Sequence, residues 1–177
     1  MPPFPLAHLL ILGALCLVAA VWDVARRRIP NLISAAVLVS GLWAQATTDG
    51  AMAALGGLGA SAIVFVLLFP LWTRGGIGGG DVKFAFAAAA WTTLHRLPVF
   101  LLAGALAGGV VAAVCYAVSQ RDARGAIRNN LWMAMAERQL PEANATRDGK
   151  GRVTVPYAVA IGAGVFAALL IHWPPHF

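Results

Sequence analysis

AMAALGGLGASAIVFVLLFPLW, residues Ala51 to Trp72, holds 22 side chains without a charge among them. An α-helix needs roughly 20 predominantly apolar residues to cross the ~30 Å hydrocarbon core of a bilayer, and this run meets that length. A helix apolar on every side belongs either in the core of a large protein or in lipid. The chain has only 177 residues, 60% of them hydrophobic and 11% charged, whereas soluble domains carry about 25% charge. The stretch is therefore read as a membrane span, and the chain as a polytopic membrane protein.

Working outward, the sequence predicts an all-α fold of about six transmembrane helices. They cover Leu6 to Trp22, Ile29 to Ala46, Ala51 to Trp72, Val82 to Leu94, Leu97 to Val118, and Val153 to Trp173. The fourth is short and requires neighbouring helices or a tilted, locally thinned bilayer. Trp22, Trp43, Trp72, Trp91 and Trp173 fall near predicted span ends, where indoles favour the headgroup level. Gly57 with Ser61, and Gly104 with Gly108, are small pairs suited to close helix approach.

Charge sets the expected orientation. Arg26, Arg27 and Arg28 follow the first span, Arg74 and Lys83 flank the connection after the third, and seven basic residues lie between Arg121 and Arg152. Twelve of the thirteen Lys and Arg thus occupy three loops, leaving Arg96 on the other side. The positive-inside rule then places those loops in the cytoplasm and both termini outside. The first span has no basic residue before it and an arginine cluster after it, the reverse of a secretory signal, so it is expected to stay as an anchor.

The net charge of +6 does not indicate nucleic acid, because the basic residues border apolar runs instead of forming a stripe with aromatics. Their partner is the lipid bilayer. Cys16 and Cys115 sit inside apolar runs without metal-ligand spacing. His8, His95, His172 and His176 fall at the outer face, which argues against a metal site or a serine–histidine nucleophile near the cytoplasmic loops. No cofactor is called for. The loop 119–152 has Ile127, Leu131, Trp132, Met135 and Leu140 at roughly helical spacing, which suits either an interfacial helix or a mobile basic loop. The chain is otherwise read as one integral-membrane unit over 1–177, and its sequence leaves the oligomeric state open.

Of seven acidic residues, Asp49 lies in an outer turn, and Asp122, Glu137, Glu142 and Asp148 lie in the long loop. That leaves Asp23 and Asp81, each where an apolar span meets the cytoplasmic interface. Acids at membrane depth are costly and suggest function. The first span ends at Asp23 and the fourth begins at Asp81, so both carboxylates are expected at similar depth on the same side, 58 positions apart in sequence. Two close carboxylates share a proton, which lets one activate water while the other polarises a carbonyl. Structural roles compete: Asp81 as a helix N-cap, and Asp23 as a partner of Arg26 or Arg27 one turn on.

Asp81 closes the segment Gly75-Gly76-Ile77-Gly78-Gly79-Gly80-Asp81-Val82-Lys83. Glycines allow a peptide to lie close beside the carboxylate. A phosphate loop would need Gly-Lys-Ser/Thr at its end, and Asp81 would repel phosphate. Gly78-x-Gly80-Asp81 resembles the GxGD signature of intramembrane aspartyl proteases. The fuller string is similar to the prepilin peptidase (type IV leader peptidase) branch. Asp23 followed by Arg26, Ile29, Pro30 and Asn31 resembles the segment carrying that branch's first aspartate, and Val155-Pro156-Tyr157-Ala158 has a counterpart there too.

The resemblance implies an aspartyl endopeptidase that removes the short basic leader from pilin-like precursors at the cytoplasmic face of the bacterial inner membrane. Asp23 and Asp81 would be its catalytic pair, with Gly78, Gly80, Lys83 and Asn31 shaping the site or binding substrate. The Cys-x-x-Cys pairs of larger, N-methylating relatives are missing, so methyl transfer is not expected; the compact form resembles enzymes serving Flp or Tad-type pili. Helix dipoles suggest Asp81 as the ionised base and Asp23 as the acid, with Arg26 to Arg28 opposing. Lys83 either supports Asp81 and substrate or snorkels to headgroups. The alternatives are a presenilin-like intramembrane protease, which shares GxGD, and a non-catalytic assembly or carrier protein.

Overall fold

A computed structural model describes residues 4–26, 28–118 and 157–171. These residues form six helices: α1 (Leu6–Arg26), α2 (Asn31–Thr48), α3 (Ala51–Thr73), α4 (Gly79–Ala89), α5 (Leu97–Val118) and α6 (Tyr157–Leu170). α1, α3 and α5 are long and apolar enough to cross a membrane. The protein is an all-α membrane protein; α2, α4 and α6 fall short of that test by length or polarity. The loop 119–152 and Trp173 lie outside the described residues, as do the first residues of the predicted sixth span.

Local chemistry sets the helix boundaries. Pro30 precedes α2 with φ −60° and ψ 138°, ending one direction of chain before the next begins. Gly50 joins α2 to α3 at φ 87°, a conformation L side chains rarely adopt. α3 closes through a Schellman motif: Gly75 has φ 75°, its N–H donates to Trp72 O at 2.9 Å, and Gly76 N–H donates to Leu71 O at 2.8 Å. These turns fold α1 to α4 back and forth.

The fourth predicted span needs correction. α4 has 11 residues, about 16 Å at 1.5 Å per residue, roughly half the hydrocarbon core. It stops at Ala89, and Ala90, Trp91 and Thr92 turn through i→i−3 bonds of 3.3, 3.1 and 2.9 Å. Residues Ala87 to Trp91 are apolar because protein covers them. Trp91 is accordingly a core residue, 1% exposed, not a headgroup anchor. Its indole N–H donates to Val37 O at 2.9 Å, and its ring rests on Gly41, where a Cβ would come within 2.7 Å. A Cβ on Gly57 would sit 2.6 Å from Ala90 O, so glycine there lets α3 approach the end of α4. Gly164 of α6 similarly meets Phe100 O and Gly104 Cα of α5, each 2.9 Å from where its Cβ would be.

Contacts sort the bundle into two ends. At one end Gly79 faces Trp72, Gly80 faces Ile29, and Asp23 meets Ala158. At the other, Phe4 packs edge-on against Trp91, and His8 packs on Trp43 with its Nε2 3.4 Å from Thr47 Oγ1. Asp23 and Asp81 belong to the first end.

Candidate active site

Asp23 lies in the last turn of α1 and is buried, 9% exposed. Its Oδ2 accepts a hydrogen bond of 3.3 Å from the Ala158 N–H, in the first turn of α6. Buried carboxylates require such donors. Arg26 turns away, its guanidinium 4.7 Å over the Trp22 ring, and no ion pair to Asp23 forms among the described residues.

Asp81 is the third residue of α4, half-buried. The N-cap is Gly78, not Asp81, and the Gly78 backbone adds an electrostatic influence on the Asp81 carboxylate. Gly78 has ordinary extended dihedrals, φ −67° and ψ 139°, so conformation does not demand glycine there. Space does: a Cβ would lie 2.8 Å from Asp81 Oδ2. Gly80 plays a different part. A Cβ on it would meet Ile29 at 3.5–3.9 Å, ordinary contact, so it packs α4 beside the chain entering α2.

The bundle brings Asp23 within electrostatic reach of Asp81. Each carboxylate also faces a helix start, Asp81 on its own α4 and Asp23 on α6. The dipole contrast used to assign acid and base from sequence is therefore reduced, because the α6 N-terminus also favours an anion at Asp23.

Beside Asp81 opens an apolar cavity of about 480 Å³, with Ile77, Leu68, Gly108, Tyr157 and Ile161 in its wall. Tyr157 also interacts electrostatically with Asp81. The Val-Pro-Tyr-Ala string was visible in the sequence, but nothing in it indicated that Tyr157 would face a carboxylate 76 positions earlier. Lys83 and Asn31 are brought together, but elsewhere. Lys83 Nζ donates to Asn31 Oδ1 at 3.1 Å, and the two line a separate groove between α2 and α4.

The model of the type IV leader peptidase family matches residues 10–113. The chain belongs to this family. The match contains both aspartates and the glycine-rich segment, while Tyr157 and Ala158 lie beyond it. Leader peptidase HopD of Escherichia coli is 32% identical over 114 residues, covering 60% of this chain and 74% of that protein. No solved structure matches. Family membership makes the chain a membrane peptidase of the leader-peptidase type.

Proposed function

We propose that this leader peptidase is an aspartyl endopeptidase using Asp23 and Asp81 to cut the basic leader from type IV prepilins, of the Flp or Tad type. The single observation that carries this reading is that Asp23 and Asp81, from helices far apart in sequence, come within electrostatic reach at one end of the bundle, with Asp81 in the wall of an apolar cavity. The ionised member of the pair takes a proton from water, and the resulting hydroxide oxygen attacks the scissile carbonyl carbon. The protonated member gives its proton to the carbonyl oxygen. Collapse of the tetrahedral intermediate breaks the C–N bond; the proton taken from water passes to the leaving amine, and one hydroxyl returns its proton to the carboxylate that gave it.

The cavity beside Asp81 would receive apolar side chains of the substrate, keeping bulk water from the reacting bond. Basic residues concentrated near the aspartates support six membrane passes, the fourth made by the short α4 together with the turn after it, with both termini outside and a site at the cytoplasmic face of the inner membrane. The short α1–α2 connection supports the compact Flp or Tad type, and the whole chain acts as one peptidase unit.

The test is leader cleavage in membranes carrying this chain and a Flp-type prepilin, read as a pilin mass shift. Wild type cleaves, and Asp23→Asn and Asp81→Asn at matched expression do not. Cleavage retained by either variant overturns the dyad; cleavage of other prepilins but no Flp-type precursor overturns the substrate class.

A further inference from the structure

The side of α4 away from Asp81 bears a second cavity. Residues two apart on a helix do not share a face, so Lys83 points away from the carboxylate and continues into the stripe Phe86 and Ala87. α2 offers a matching stripe, Asn31, Ser34, Ala35 and Leu38, at i, i+3, i+4 and i+7. With Phe65 of α3 these residues enclose about 420 Å³, within the size range of ligand clefts.

The groove is graded along its length. At its mouth stand the Lys83 ammonium and the starts of two helices, whose N-caps Pro30 and Gly78 supply no side-chain hydrogen bond. One turn deeper is Ser34, 8% exposed, whose hydroxyl has no hydrogen-bond partner among the described residues. Beyond Ser34 the wall is hydrocarbon. Asn31 and Leu38 are two turns apart, about 10 Å.

Charge decides the occupant. Lys83 meets only the neutral Asn31 among the described residues, leaving two of its three donors for a ligand. Arg28, exposed and three residues before Asn31, adds positive charge to the chain entering α2. A phosphate over Lys83, ester oxygens near the depth of Ser34, and an acyl chain along Phe65 and Phe86 match this order. We infer that the groove binds one anionic glycerophospholipid of the surrounding bilayer, with Lys83 holding its phosphate. A free anion gains nothing from the aromatic wall, and a zwitterionic lipid brings its own cation toward Lys83.

The inference does not depend on the aspartate pair, and its test does not read peptidase activity, so either can fail alone. The full chain, purified in neutral detergent, is titrated with dioleoylphosphatidylglycerol, dioleoylphosphatidylcholine and inorganic phosphate, and bound adducts are counted by native mass spectrometry. One phosphatidylglycerol is expected to be retained in preference to phosphatidylcholine, with no competition from phosphate. Lys83→Gln should weaken retention about fivefold, the worth of one lysine at an anionic surface, and Lys83→Arg should restore it. Ala35→Phe, at an exposed position in the wall, should block the chain-binding part. Should Lys83→Gln fail to fold, Lys83→Arg and Ala35→Phe carry the test. Equal binding of both lipids, full competition by phosphate, or retention unchanged in Lys83→Gln or Ala35→Phe overturns the proposal.

Discussion

At the residue scale, the two glycines of the Gly78-x-Gly80-Asp81 string separate by what a methyl group would meet. On Gly78 it would press 2.8 Å from Asp81 Oδ2, and the carboxylate, as a side-chain end, would swing away. The fold should survive Gly78→Ala, but the dyad geometry should not. A displacement of about 1 Å at a reacting group costs on the order of 100-fold, so cleavage should fall by roughly that factor while thermal unfolding in detergent stays near wild type. Gly80→Ala adds a methyl at ordinary contact with Ile29 and raises helix propensity by up to ~1 kcal/mol. It should cleave at near the wild-type rate. Equal rates for the two variants would show that Gly78 does not position Asp81.

Helices are where sequence reading worked best and where its one clear error lies. Hydropathy identified every described helix, because each presents an apolar run bounded by Pro, Gly or charge. It overran α4, since a turn buried in protein is as apolar as a helix buried in lipid, and residues 90–94 are the former. For the same reason Trp91 looked like an interfacial indole. That Asp23 and Asp81 lie at the same end of the bundle was legible because both acids stood at same-side span ends. The Asp23–Ala158 bond and the cavity-facing Tyr157 were not, because they depend on how α6 packs against α1 and α4. Nor did the sequence show that Lys83, two positions after Asp81, pairs with Asn31 in the groove between α2 and α4.

Three substitutions test the packing at this scale. Trp91→Phe removes the bond to Val37 O, which Ser40 also reaches, so the loss should be about 1 kcal/mol, measured as thermal or denaturant stability in detergent. Trp43→Phe, at a position 52% exposed, should change stability little. Gly57→Val drives a side chain against the Ala90 carbonyl, a backbone atom that cannot rotate aside. Overpacking of that kind costs about 1–3 kcal/mol. A Gly57→Val protein as stable as wild type would show that α3 and α4 do not approach as described.

At the scale of the whole molecule, charge and packing independently divide the bundle into the same two ends. Arg26, Arg28, Arg74 and Lys83 lie with the aspartates, and the Asp49-Gly50 turn lies with His8 and Trp43. Packing alone cannot tell which end faces the cytoplasm; the positive-inside rule can. A chain with Cys16 and Cys115 replaced, carrying a single cysteine at Asp49 or at Arg74, tests it with a membrane-impermeant maleimide. Asp49→Cys should label from outside once the reagent reaches the periplasm, and Arg74→Cys only after the inner membrane is opened. The opposite pattern would move Asp23 and Asp81 to the outer face. Leader removal would then have to follow translocation of the precursor's N-terminus, against the pull of its basic leader toward the cytoplasm. The orientation thus decides when in export the proposed cut takes place: before the leader leaves the cytoplasm if Arg74 is inside.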